Sequence, residues 1–250
     1  MAFSRSSDFS RSEQCRFGIP TLDESIGGGV PRGSVILIED EVGVNSDPFL
    51  IQFLAEGLVS GEYGYIMGTE HMYDHYRSLL VPFGIDEIVV ETRRLVYLDA
   101  FTNPFGSKEQ MSLRGPQNVI RDLMQPRHVT DTLAQSLLHV QNAPVRGVID
   151  SLSTIILVAG DYRAPLSLFH HKIATDKKNR HVTLFTLHRD VHDLKTVKMF
   201  EHYCDIVCRL YKDDQNNDIF EIVKVEGKAS RVTKYLYKSA PGKIELQPIA

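Results

Sequence analysis

Residues 17–54 read FGIPTLDESIGGGVPRGSVILIEDEVGVNSDPFLIQFL. A triple glycine at 27–29 ends a short helical pattern. The apolar, β-branched run that follows, Ser34–Ile38, predicts a buried strand. Beyond a polar loop, apolar residues at helical spacing across Phe49–Leu54 predict a helix with one apolar face. This stretch therefore predicts a strand, a loop and a helix in succession.

The remainder of the chain alternates predicted strands with predicted helices and ends in a run of strands. Residues 102–117 contain Pro, Gly, Asn and Ser without periodicity, which predicts a long loop. Alternating strands and helices followed by strands alone indicate an α/β fold: a mainly parallel sheet flanked by helices, with an antiparallel C-terminal extension. The predicted strands are Tyr63–Met67, Leu95–Asp99, Arg146–Asp150, Val182–Thr186, Ile206–Tyr211, Phe220–Val225 and Val232–Tyr237; the predicted helices are His71–Leu80, Val129–His139 and Leu166–Asp176.

Composition limits the class of protein. The chain has 250 residues, of which 42% are hydrophobic, enough for one α/β domain over residues 15–250 after a disordered tail at 1–14. A net charge of −4 argues against electrostatic attraction of the whole molecule to nucleic acid. Three cysteines are too few for a disulfide framework and indicate a reducing cytoplasm. No apolar run is long enough for a membrane span.

Seven short motifs are spread along nearly the whole chain: Gly18–Asp23, Gly27–Ser34, Gln52–Gly57, Thr69–Glu70, Phe83–Gly84, Leu98–Phe101 and Val148–Ser153. Together they resemble the motifs of the KaiC-like branch of the RecA superfamily. This resemblance implies a RecA-like core, and it is weakest between residues 102 and 140.

The nucleotide loop of that family is altered here. A working P-loop reads G-x-x-x-x-G-K-[ST], in which backbone amides and the lysine hold phosphates and the hydroxyl holds Mg²⁺. The matching positions in this chain, with the glycine between them, are Asp40, Gly43, Asn45, Ser46 and Asp47. The lysine is missing and carboxylates stand where a polyanion binds. Asp47 followed by Pro48 further predicts an N-cap and a proline at the first helical position, which would use up the anion-binding end of the helix.

Two more elements that the resemblance implies are also changed. The family's paired acids after the second strand correspond to Glu70 and His71, and its Lys-x-Arg-Gly element, which reaches a neighbouring subunit's nucleotide, corresponds to 224–227, with Glu226 in place of arginine. Asp150 retains the Walker B acid. We interpret these positions as vestigial: the site predicts no catalytic residue, no cofactor and no metal. The vestigial trans-site residues are Lys224, Glu226 and Lys228.

The resulting hypothesis is a pseudo-ATPase that acts as a scaffold or regulator in a homo- or hetero-oligomer, including a ring, with RecA-like paralogues. One alternative is a tRNA-binding ring subunit similar to the accessory subunits of Elongator, and another is a weak ATPase of the KaiC type. His188 and His192 are spaced for a shared metal, but we interpret them as surface histidines in a loop. The candidates for nucleic-acid binding are Lys228, Arg231, Lys234, Tyr235 and Lys238. The alternative interpretation of this segment is an edge strand that its lysines protect from pairing with another chain.

Overall fold

A computed structural model describes residues 14–85, 93–105, 118–140, 143–227 and 233–249. Its centre is a ten-stranded sheet in the order β12-β11-β10-β9-β3-β8-β7-β4-β5-β6, and β1 pairs with β2 in a separate two-stranded sheet. The strands are β1 (Gln14–Cys15), β2 (Val30–Pro31), β3 (Val35–Asp40), β4 (Tyr63–Gly68), β5 (Leu95–Asp99), β6 (Asn118–Val119), β7 (Val145–Asp150), β8 (Val182–His188), β9 (Ile206–Lys212), β10 (Asp218–Val225), β11 (Thr233–Ala240) and β12 (Lys243–Pro248).

The sheet is parallel from β9 to β6 and antiparallel from β9 to β12. The predicted α/β class, with a mainly parallel sheet and an antiparallel C-terminal extension, is therefore confirmed. The helices are α1 (Pro20–Ser25), α2 (Asp47–Val59), α3 (Tyr73–Leu80), α4 (Pro126–Ser136), α5 (Leu152–Ala159), α6 (Arg163–Asn179) and α7 (Leu194–Tyr203).

Apolar cores lie on both faces of the sheet. Ile36 and Ile38 of β3 join side chains of α1, α2 and α3 in one core, whereas Val35 and Leu37 join those of α4 to α7 in the other. Alternate residues of a strand point to opposite faces, so a strand covered on both sides must be apolar throughout. This is why the run at the start of β3 shows no polar alternation.

Some boundaries differ from the predictions. Gln14, assigned above to the tail, lies in β1 opposite Pro31; residues 1–13 and most of the predicted loop, 106–117, lie outside the described residues. The sequence patterns missed α7, β12 and α5, which is almost wholly apolar and therefore lacks periodicity. They also missed the two-residue strands β1, β2 and β6. None of the helices in the described part of the chain is both long and apolar enough to cross a bilayer.

Candidate functional site

The carboxyl ends of four neighbouring parallel strands meet at one edge of the sheet. Asp40, Gly68, Asp150 and His188 are the last residues of β3, β4, β7 and β8, and Asp40 lies opposite His188 in the β3–β8 register. Ligands of open α/β sheets bind in the crevice outside the carboxyl ends of the strands. The altered P-loop positions, the Walker B position and the paired-acid position therefore converge here.

The loop after β3 is held by bonds within the chain. Gly43 has φ +94°, which glycine tolerates without strain. The Ser46 hydroxyl, at the position of the P-loop lysine, donates to Asp40 Oδ2 at 2.5 Å. The Asn45 side chain accepts the amide of Asp47 at 2.8 Å. Two of the altered side chains are thus used to hold the loop itself.

The start of α2 differs from the predicted cap. Ser46 is the N-cap and its side chain does not cap the helix, while Asp47 and Pro48 are the first two helical residues. The Asp47 amide donates to the Asn45 side chain, and the Phe49 amide donates to the Ser46 carbonyl at 2.9 Å. Pro48 between them has no amide hydrogen. The prediction that the Asp47 carboxylate caps the helix was wrong, because that carboxylate turns towards α3 instead.

His188 bridges two carboxylates at this edge. Its Nδ1 lies 2.5 Å from Asp40 Oδ1 and its Nε2 lies 2.9 Å from Glu70 Oε1. Hydrogen bonds to Asp40 and Glu70 raise the pKa of His188 to about 10, so the ring is charged at neutral pH and both nitrogens donate. Burial by itself would raise the pKa of Glu70, but bonds from His188 and Thr154 hold it below its usual value. The interpretation of His188 as a surface loop residue was therefore wrong.

Asp150 is almost completely buried, with 3% of its surface exposed. Its two oxygens accept hydrogen bonds from the Tyr76 hydroxyl at 2.8 Å and the Thr186 hydroxyl at 2.6 Å. Burial raises the pKa of Asp150 to about 7, and the nearby charges of Asp47 and Glu70 act in the same direction. Both oxygens of the Walker B acid are engaged by hydroxyl groups of the same chain.

His71 and His75 form a second histidine group beside Asp47. Their ring centroids are 3.9 Å apart, and His75 Nε2 lies 2.8 Å from Asp47 Oδ2. In the described part of the chain, the donor atoms of His71, His75 and Asp47 make up a group of potential metal ligands, all within 4.8 Å of one another. The sequence prediction had named no metal site.

The predicted trans-site residues do not join this edge. Val225 at the end of β10 pairs with Ile206 at the start of β9, so Lys224 and Glu226 lie at the amino end of the parallel strands. Lys224 donates to the carbonyls of Glu201 and His202, at the end of α7, at 3.3 and 3.0 Å. Lys228 lies outside the described residues.

Burial and acidic neighbours limit the candidate residues for nucleic-acid binding. Tyr235 is 2% exposed and its hydroxyl lies 2.5 Å from the Ser25 hydroxyl, so its ring cannot stack on a base. Lys234 lies over the Tyr211 ring at 5.7 Å and opposite Glu221 in the β10–β11 register. Lys238 lies opposite Glu245 in the β11–β12 register. Acids therefore offset both described lysines, and the two remaining candidates, Lys228 and Arg231, lie outside the described residues.

A cavity of about 920 Å³ lies away from this edge, near the amino ends of β7 and β8. Its lining includes Arg146 and Lys172, which are bonded to Glu62 and Asp176 respectively, and apolar side chains of α4 such as Leu133. None of the residues that line it comes from the loop after β3. The cavity and the altered loop are thus separate features of the fold.

Sequence reasoning missed His188, His75, Tyr76 and Thr186 as members of this edge. A histidine directly after the apolar run of β8 was the available signal, because a residue there must lie at the carboxyl edge of a parallel sheet. The partners of Asp150 carried no such signal, since they depend on how α3 and β8 pack around β7.

The central strand–loop–helix unit and the acid at the end of β7 define an α/β domain of the RecA-like class. A family model described as "ATPase: KaiC" matches residues 15–249. The chain therefore belongs to the KaiC ATPase family.

Similar proteins agree with this assignment. UPF0273 protein PH0284 of Pyrococcus horikoshii is 29% identical over 147 residues, which cover 58% of this chain and 57% of that protein. UPF0273 protein PF1931 of Pyrococcus furiosus is 31% identical over 141 residues, which cover 56% of this chain and 55% of that protein. The chain thus spans little more than half the length of these curated relatives. Among solved structures, KaiC-like protein PH0186 of Pyrococcus horikoshii has a TM-score of 0.73 at 22% identity, covering 94% of this chain and 99% of that one. At that identity the likeness concerns the fold alone.

Proposed function

We propose that this chain is a KaiC-family subunit that does not bind Mg-ATP and acts as an oligomeric scaffold or regulator. The observation that carries the proposal is the internal bonding of the P-loop positions. Ser46 replaces the phosphate-binding lysine and donates its hydroxyl to Asp40, whose other oxygen is bonded to His188. Ser46, the residue at the lysine position, carries no positive charge that could bind a phosphate.

Charge supports the same proposal. A unit charge 4 Å from another is worth about 4 kcal/mol at an effective dielectric constant near 20. Replacing lysine and adding the carboxylates of Asp40 and Asp47 changes attraction into repulsion for a polyanion. The change is comparable with the roughly 8 kcal/mol that a micromolar complex is worth. The amide groups at the start of α2 offer little compensation, because the Asp47 and Phe49 amides already have acceptors within the chain.

The test is a calorimetric titration of the purified chain with Mg-ATP, with the oligomeric state measured on the same sample by light scattering. No heat from an oligomer is the expected result. Heat corresponding to micromolar binding would overturn the loss of ATP binding. ATP turnover that Asp150→Asn abolishes would instead favour the weak ATPase.

Exposed apolar side chains beside the loop support the oligomeric role. Val42, Val191 and Leu194 are 81%, 47% and 60% exposed. The Val42 amide donates to Asp190 at 3.0 Å, so the loop lies against the segment that leads into α7. Uncovered apolar groups of this kind mark interaction surfaces when they are contiguous.

A matched pair of variants tests this face. Val42→Lys is expected to shift the oligomer towards the monomer in light scattering, because the change places a charge in the proposed contact. Val59→Lys changes a valine that is 71% exposed at the far end of α2, and it serves as the control. A purified chain that is monomeric at micromolar concentration, or equal dissociation by both variants, would contradict the proposed scaffold contact.

The tRNA-binding alternative has less support, since Tyr235 is buried and Lys234 lies opposite Glu221. It predicts tRNA binding that weakens with salt and in Lys234→Ala/Lys238→Ala. Binding that is absent, or independent of salt, would exclude it.

A further inference from the structure

Two histidines and one carboxylate converge beside the altered loop from two segments of the chain. Asp47 is the first residue of α2, His75 lies in the first turn of α3, and His71 lies in the turn that precedes α3. One donor atom from each lies within 4.8 Å of the others. The sequence resemblance gave no ligand role to His75, and it matched Asp47 to an altered P-loop position and His71 to the second of the family's paired acids.

The backbone of both segments is held by hydrogen bonds. The Tyr97 hydroxyl donates to the His71 carbonyl at 2.8 Å, and a Cβ added to Gly68 would lie 2.9 Å from that carbonyl oxygen. The Asp47 amide is bonded to Asn45 at 2.8 Å. Ligands mounted on fixed elements lose little conformational freedom on binding, which favours a preorganised site.

The donor set suits a transition metal. Imidazole nitrogen and carboxylate oxygen are ligands of Zn²⁺, and a site with three protein ligands leaves a fourth position for water or another group. Metal–ligand distances near 2.0–2.1 Å place neighbouring donors about 3.3 Å apart. The 2.8 Å between His75 Nε2 and Asp47 Oδ2 is shorter than this spacing, and the donor atoms of the whole group lie within 4.8 Å of one another, so binding a metal would require side-chain rotations.

The charges around the group favour a cation. Asp47 is only 8% exposed, and the negative charges of Asp47 and Glu70 both act on the buried Asp150. His188 offsets one of the two carboxylates that it bridges, Asp40 and Glu70, so that cluster keeps a net negative charge. Carboxylates that disfavour a polyanion at this edge stabilise a divalent cation there.

We infer that Asp47, His71 and His75 bind a divalent transition metal of the Zn²⁺ class, with one coordination position open. The inference rests on these three side chains and not on the proposed loss of ATP binding. In place of a phosphate-bound Mg²⁺, the edge would hold a metal that needs no nucleotide.

The test uses the tag-free chain, titrated with ZnCl₂ by calorimetry and with CoCl₂ by visible absorption. One equivalent of metal per chain is expected, with the absorption of Co²⁺ in a site of low coordination number. His71→Gln/His75→Gln is expected to weaken binding at least tenfold. The glutamine at 75 replaces imidazole with a poor metal ligand but still offers a hydrogen-bond donor to Asp47, so we expect the fold to be retained.

His170→Gln/His171→Gln removes two exposed histidines of α6 and is the matched control, for which unchanged binding is expected. If the variant at 71 and 75 does not give a native circular dichroism spectrum, Asp47→Asn replaces it with the same expected loss. No saturable binding by the wild type, or equal weakening by the control pair, would overturn the inference. Because no nucleotide is present, a failure here leaves the Mg-ATP result unaffected.

Discussion

Replacing His188 with glutamine tests the network that closes the altered loop. The side chain of Asp40 is 4% exposed, that of Glu70 is 24% exposed and the His188 ring between them is 34% exposed. Removing one partner of a buried ion pair costs about 3–5 kcal/mol. Because water reaches the His188 ring and glutamine can still donate to one carboxylate, we expect His188→Gln to lower the free energy of unfolding by about 2 kcal/mol at pH 7.5.

The dependence on pH distinguishes this network from simple packing. Bonds to Asp40 and Glu70 raise the pKa of His188 from 6.5 to about 10. A pKa raised in the folded state contributes stability that is complete below the unfolded value of 6.5 and is lost as the pH rises through about 10. The difference between wild type and variant should therefore shrink between about pH 7.5 and 9.5, by at most about 1.4 kcal/mol per pH unit.

Other titrating groups do not imitate this effect. The buried acids Asp150 and Glu39, whose pKa values are raised to about 7, ionise mainly below this range. The buried cysteines resist ionisation when folded, but they do so equally in both proteins. Urea unfolding at several pH values measures the difference, with His170→Gln, a change at an exposed histidine of α6, as the control. A difference that stays constant across the range would refute the assignment of a charged His188.

Two other buried groups give further predictions. Glu62 is 6% exposed and bonds both Arg32 and Arg146, so Glu62→Gln should cost about 3–5 kcal/mol in urea unfolding; a loss below 1 kcal/mol would contradict this. Burial alone would raise the pKa of Glu62, but Arg146 and Arg32 lower it to about 2. The contribution of Glu62 to the free energy of unfolding is therefore present above pH 4.5 and should disappear in acid titrations of the wild type as the pH falls towards 2. Tyr76→Phe removes a hydrogen bond to the Asp150 carboxylate and should cost about 1.5–3 kcal/mol by thermal or urea unfolding; an unchanged midpoint would show that the bond contributes nothing.

Much of the fold could be predicted because buried parallel strands appear in the sequence as continuous apolar runs. The runs at β3, β4, β5, β7 and β8 each placed a strand to within two residues of its observed ends. The same property hid α5, since a helix that is apolar almost throughout has no 3.6-residue periodicity. The last strand, β12, alternates buried and exposed residues over only six positions, too short a pattern to separate from a loop.

The site was less predictable because its contacts depend on the order of strands in the sheet. The pairing of Asp40 with His188 requires β8 to lie beside β3, although the two residues are 148 positions apart. The bonds from Tyr76 and Thr186 to Asp150 likewise join residues 74 and 36 positions away. Motif positions identified which side chains differ from the family pattern, but not which distant side chains they contact.

The substitutions in the loop are therefore best understood together with residues far from it. Loss of the lysine and gain of carboxylates at Asp40 and Asp47 would leave buried acids without donors if nothing else had changed. In this chain Ser46 and His188 bond Asp40, and His75 lies 2.8 Å from Asp47. The backbone amides of a working P-loop bind the phosphates of a nucleotide, whereas the polar groups named here are bonded within the chain. We therefore expect this loop to fold without a bound nucleotide, and we expect a single substitution in it to leave a buried group without its partner rather than to create an anion site.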